Sequence, residues 1–183
     1  AAEYYLKALS LAQKMEKRNS ISECYSNLGV LAYQQKDYAT ARFFYQKALE
    51  ISQAEGSSGI SGVYLKLGIV HQKLHQMDSA YDYFEKGIAS AHAHNDYSKL
   101  EQGYKNVSTY YTRQNQYDSA FINLERHYQY RDSVFTVKTA QEITAREMEF
   151  SFQEERAAAD QKLADEKHKS ETTFAWSLGL GSG

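Results

Sequence analysis

Three stretches of this chain carry the same skeleton. "KDYATARFFYQKALE" begins at Lys36, "QMDSAYDYFEKGIA" at Gln76 and "QYDSAFINLERHYQ" at Gln116, with small and bulky positions in the same order. Gly29, Gly68 and Ser108 are separated by 39 and 40 positions, and so are Ala41, Ala80 and Ala120. Tyr25, Tyr64 and Tyr104 each precede the small residue by four, while Tyr45, Phe84 and Leu124 each follow the alanine by four. Both offsets are helical. A chain that repeats one helical hairpin has to stack its copies, because a single hairpin cannot bury its own apolar faces.

The pattern predicts an all-α array. Each unit is a helix, a turn and a second helix, with helices near 22–35 and 38–55 and further units near 61–94 and 101–131. Gly29, Gly68, Ala41, Ala80 and Ala120 are expected where the two helices cross closely, with Tyr45 and Phe84 filling the space between hairpins. "AAEYYLKALSLAQKMEK" overlays "ARFFYQKALEISQAEG" with a shift of 40, so residues 1–18 read as a second helix without its first. A natural domain rarely exposes such a face, and the expectation is a piece of a larger array. "AEGSSGISG" at 54–62 reads as a flexible link.

These positions resemble the tetratricopeptide repeat: Tyr25, Leu28-Gly29, Ala32, Ala41, Tyr45 and Ala48, then Tyr64, Leu67-Gly68, His71, Ala80, Phe84 and Gly87. The third unit, with Tyr104, Val107-Ser108, Tyr111, Ala120, Leu124 and His127, departs further. The resemblance implies a right-handed superhelix of helix-turn-helix units. Two departures are general. The closing proline is missing, and the period is nearer 40 than 34, which predicts longer linking loops.

From Asp132 to Trp176 no helix breaker occurs, and Glu, Lys, Arg, Gln and Ala dominate. A long C-terminal helix is expected over 132–176, with a thin stripe of Met148, Phe152, Ala159, Leu163 and Phe174. An imperfect coiled coil and a solvated charged helix are both compatible with that stripe. Residues 177–183 read as a flexible tail or as the start of a truncated membrane segment, since the apolar "FAWSLGL" falls far short of the roughly 20 residues a span needs.

Composition narrows the chemistry. With 21 basic and 23 acidic residues the chain has no general field for phosphate backbones, so nucleic acid is not an expected partner. The single cysteine, Cys24, allows no internal disulfide and reads as a half-buried structural thiol. No run of 18 apolar residues occurs, so a membrane enters only through a missing flanking segment. No catalytic motif is present, and no cofactor is implied. His71 with His75 has the spacing of two metal ligands on a helix but reads HQKLH, without the glutamate of a zinc-protease helix. His92, His94 and Asp96 lie at a helix end, where histidine suits the dipole and Asn-Asp suits a turn. No metal site is assigned to either group.

The resemblance implies that the first helix of each hairpin lines a concave groove. Its candidate partner-binding residues are Asn27 and Tyr33, then Lys66, Ile69 and Lys73, then Lys105, Asn106, Thr109 and Arg113. A peptide or protein ligand is expected there. Of the lysine and asparagine set with which chaperone-binding relatives hold a terminal carboxylate, only Lys105 is clearly matched, which argues against that clamp. The segment "RDSVFTVKTAQEITAREMEFSFQEERAAADQKLADEKHKSE" resembles the part of Bacteroidetes sensor histidine kinases that joins a tetratricopeptide array to a membrane helix. That resemblance implies the sensory region of a membrane-bound signalling protein on the extracytoplasmic side of the inner membrane, weakly dimeric through 132–176. A soluble, cytoplasmic tetratricopeptide scaffold or peptide-responsive regulator stays open beside it.

Overall fold

The computed structural model describes residues 2–56 and 59–177. Ala1 and the reading of the chain end beyond Ser177 lie outside them, as do the side chains from Thr172 onward, including Phe174. Among the described residues there are seven helices: α1 (Ala2–Lys14), α2 (Arg18–Gln34), α3 (Tyr38–Ala54), α4 (Ile60–Lys73), α5 (Met77–Ala93), α6 (Tyr97–Arg113) and α7 (Tyr117–Ser177). A first compact unit ends at Val134 and a second begins at Phe135; the sequence reading put the junction at 131/132. Among the described residues, no helix is long and apolar enough to cross a membrane.

The first unit is a run of hairpins: α2 packs on α3, α4 on α5, and each hairpin on the next through α3–α4 and α5–α6 contacts. Ala41 and Ala80 are fully buried and Ala120 nearly so. The glycines explain the spacing. A Cβ added at Gly29 would stand 2.5 Å from Cε1 of Tyr45, and one at Gly68 would collide with Cδ1 of Phe84. Each ring therefore rests where a side chain is missing, which brings the two helix backbones close together. In the third hairpin the glycine is Ser108 and the ring is Leu124. The Ser108 hydroxyl donates to the Ala120 carbonyl at 2.8 Å, so a buried polar atom is satisfied across the same crossing.

The tight hairpin turns share one device. Glu16, Lys36, His75, Asn95 and Asn115 all have positive φ, between 52° and 63°. In each turn the next residue's N–H reaches back five residues, closing a six-residue loop: Lys17 to Ala12, Asp37 to Ala32, Gln76 to His71, Asp96 to Ala91 and Gln116 to Tyr111, at 2.9–3.0 Å. These are Schellman closures, which satisfy orphan carbonyls at a helix end and let the chain reverse without proline. Asp37 and Asp96 then cap the following helices, accepting from the N–H of Thr40 and Lys99 at 3.0 Å.

Two expectations need correction. The long period does not come from long loops: α2 and α3 are joined by Gln35–Asp37 alone, and α2, α3, α5 and α6 each hold 17 residues. The additional residues lengthen the helices. The first helices also begin four residues earlier than read, at Arg18 instead of 22 and at Tyr97 instead of 101. Asp96, weighed as a metal ligand, is the cap that starts α6 there.

Since the alanine crossings are already filled, Ala80→Leu is expected to overpack and cost about 1–3 kcal/mol in thermal or denaturant unfolding. Gly68→Ser is expected to destabilise by a similar amount, and Phe84→Leu in that background to cost less than it does alone. A double-mutant cycle measured by urea unfolding checks this, with independent additive costs contradicting the ring-on-glycine account.

Candidate functional site: a lysine-lined groove across the first helices

A concavity of about 530 Å³ in the first unit is lined chiefly by the first helices of the three hairpins, with Ser52 of α3 and Gly59 beside them. Helix α2 contributes Asn19, Ser22, Glu23 and Ser26; α4 contributes Gly62, Val63, Leu65, Lys66 and Ile69; and α6 contributes Lys99, Gln102, Lys105 and Asn106. One wall is aliphatic, and the polar groups belong chiefly to lysines and carboxamides. Lys66 is half-buried, with its Nζ donating to the Ser26 hydroxyl at 2.6 Å and 5.8 Å from the centre of the Tyr45 ring. Burial, and then the neighbouring charge of Lys99, push the Lys66 ammonium below its ordinary pKa. Lys99 crosses α4 at Gly62, where an added Cβ would come within 3.1 Å of its Cε. Among the described residues, none of these three lysines forms an ion pair.

Of the residues singled out from the sequence, Lys66, Ile69, Lys105 and Asn106 line this cavity. Ile69 also packs on the buried cluster around Leu65 and Phe84. Tyr33 is turned to packing, its ring 5.5 Å from that of Tyr38 and against the cluster around Tyr45. Thr109 donates its hydroxyl to the Lys105 carbonyl at 2.9 Å, and Asn27 is half-buried outside the cavity lining. Lys73 and Arg113 are exposed in the last turns of α4 and α6, away from that lining. Asn19 and Lys99 precede the helix starts read at 22 and 101, whereas Gln102 lies inside the third unit and was not singled out. The Asp96 cap was the available signal for Lys99.

The histidines singled out from the sequence serve the scaffold. His71 is buried with its ring 5.0 Å from that of Tyr83, and neither ring nitrogen has a hydrogen-bond partner. Burial pushes its pKa down, and the charge of Arg42 adds to that shift. His75 is the positive-φ turn residue. His92 Nε2 lies 3.0 Å from the Tyr104 hydroxyl, and His94 Nδ1 lies 2.8 Å from the Ser90 carbonyl. Tyr104 in turn stacks on Tyr130, with centroids 5.5 Å apart and planes at 3°, under the Arg126 guanidinium. That cluster fastens the start of α7 to α6. Cys24 is buried, and burial raises its thiol pKa, with Glu23 adding to the shift, the opposite of an activated nucleophile.

With this geometry in view, residues 1–54 match the family model described as tetratricopeptide repeat. Solved structures share the fold. BtubC (BKLC) from P. vanneervenii aligns with a TM-score of 0.62 at 22% identity, over 73% of this chain and 56% of that one. This chain thus spans little more than half of that structure's length. The N-terminal domain of stress-induced protein-1 from C. elegans aligns with a TM-score of 0.54 at 21% identity, over 67% of this chain and 95% of that one. MamA aligns with a TM-score of 0.54 at 17% identity, over 74% and 81%. No match is found among curated proteins. The fold is therefore all-α and tetratricopeptide-like.

The His71 environment carries a pH dependence. Its folded pKa is lowered from the ordinary 6.5, so the neutral form is favoured in the native state and the unfolded chain takes up the proton first. The stability belonging to that site is complete above the ordinary value and declines as pH falls below it. His71→Phe is expected to flatten this acid limb relative to the parent. Urea midpoints measured for both proteins from about pH 8 to pH 5 check it, and parallel curves would contradict it.

Proposed function

We propose that the chain is an interaction module that receives a peptide or protein segment in the α2–α4–α6 groove. The observation that carries this reading is the groove itself: a concavity of about 530 Å³ with an aliphatic wall and three lysines not in ion pairs among the described residues. Such a surface suits a segment that places acidic groups beside apolar ones. We further propose that the module is the sensory region of a membrane-bound signal-transduction protein, a two-component sensor histidine kinase. This finer reading is supported by the resemblance of the charged segment over 132–176. A soluble scaffold or peptide-responsive regulator is the competing reading. The encoding gene discriminates the two: a signal peptide upstream and an apolar span following Trp176 support the sensor.

In the sensor reading, residues 132–176 pair weakly between two copies. Along that segment Phe135, Met148, Phe152 and Leu163 are exposed, and charged residues interrupt the stripe, as at Glu155-Arg156 and Glu166-Lys167. A thin, interrupted stripe gives an adjustable association in place of a locked one.

Two measurements test these proposals. Reversing Lys99 and Lys105 to glutamate is expected to weaken capture of an acidic partner segment at low salt, with a smaller effect at high salt; unchanged affinity rejects the charged groove. Light scattering is expected to find a monomer or weak dimer for the full chain and a monomer for a version ending at Arg131. A tight dimer that survives removal of 132–183 would place the interface on the repeats.

A further inference from the structure

Three lysines of one cavity stand out once the interaction reading is set aside and their chemistry is taken alone. Lys66, Lys99 and Lys105 come from two successive first helices and line the same concavity, with Glu23 as its acidic lining residue. The resulting local excess is about two positive charges, inside a chain whose formal net charge is -2. The site has no guanidinium fork of the kind that favours planar bidentate carboxylates, and offers compact ammonium groups instead. Neutral donors stand beside them in the carboxamides of Gln102 and Asn106. Gly62 keeps the surface of α4 low enough for the Lys99 stem to lie across it.

We propose that this cavity holds a phosphoryl dianion, carried on a phosphorylated side chain of the segment that enters the groove, with Lys66, Lys99 and Lys105 as its charge partners. This deepens the interaction reading and rests on it. A phosphoryl group brings about two negative charges and three strong acceptor oxygens at neutral pH, matching the charge excess and the number of ammonium groups. Val63, Leu65 and Ile69 supply the apolar wall on which a neighbouring side chain of the same segment rests. A dianion beside the Lys66 ammonium would oppose the burial and the Lys99 charge that lower its pKa.

The test uses the full chain and three probes at constant ionic strength: inorganic phosphate, succinate and a blocked Gly-phosphoserine-Leu peptide. Binding is followed by the side-chain NMR resonances of the lysines, which also report the Lys66 titration. Expected are saturable shifts with phosphate, a rise of the Lys66 pKa on binding, and about tenfold tighter binding of the phosphopeptide. Lys66→Met and Lys99→Met should each weaken binding about tenfold, or about 1.4 kcal/mol. Lys73→Met, outside the cavity lining, should leave it unchanged. If Lys66→Met fails to fold, Lys99→Gln carries the same test at a half-buried position. Succinate binding as well as phosphate, or full affinity in the lysine variants, overturns the proposal. A phosphopeptide no tighter than inorganic phosphate overturns the assignment to a protein segment. None of these outcomes depends on the charge-reversal experiment, so the phosphoryl proposal can fail while the groove reading survives.

Discussion

The array depends on rings seated on missing side chains. Where Tyr45 covers Gly29 and Phe84 covers Gly68, the ring takes the space of a Cβ and the two helices of the hairpin close on one another. Glycine inside a helix costs about 1 kcal/mol against alanine, while burying a large aromatic contributes about 1.5–3 kcal/mol, so the exchange favours the crossing. The remaining close approaches follow the same rule. An added Cβ at Gly87 would meet Leu65 at 2.6 Å within the second hairpin, and one at Gly103 would meet Ile88 at 2.5 Å between α6 and α5, so a hairpin-to-hairpin contact uses glycine as the hairpins themselves do. The third crossing shows how far the rule bends: Ser108 stands in the glycine position, and its hydroxyl is held by the Ala120 carbonyl.

Much of that was legible because both partners of each crossing recur at a fixed offset. Gly29 and Tyr45 are 16 residues apart, as are Gly68 and Phe84, and no other arrangement of a helical repeat explains small and large residues marching together. The turns were less legible. Positive φ is borne by Glu16, Lys36 and His75 as well as by Asn95 and Asn115, and only asparagine advertises the left-handed conformation. What forces it is the six-residue backbone closure, which carries no side-chain signature. With the turns hidden, the longer period was assigned to loops when it belongs to the helices.

That one misplacement explains what was missed in the groove. Beginning the third unit at 101 left Lys99 in an imagined link, whereas the Asp96 cap starts α6 at Tyr97 and puts Lys99 in its first turn, facing α4 across Gly62. Asn19 was lost in the same way when α2 was begun at 22 instead of Arg18. Positions deeper in the helices, Lys66, Ile69, Lys105 and Asn106, were read well because the repeat register fixes them. Lys73 and Arg113 share that register but sit a turn or more further along, outside the cavity lining. Periodicity gives the face of a helix; how far along its axis the cavity extends depends on packing between hairpins.

The groove is also where stability and binding pull against each other. Folding half-buries Lys66 and brings Lys99 near it, and both effects oppose its charge. A lysine with a lowered folded pKa binds its proton less well in the native state than in the unfolded chain. Its penalty is therefore present at neutral pH and is lifted as pH rises toward the ordinary 10.5. An anion entering the cavity reverses the sign: it raises the folded pKa, and by linkage it stabilises the fold as it binds. The Ser26 hydroxyl satisfies one of the three ammonium donors, and the Tyr45 ring that closes the first crossing lies beside the same ammonium. The Lys66 ammonium is thus held against one of the contacts that define the scaffold.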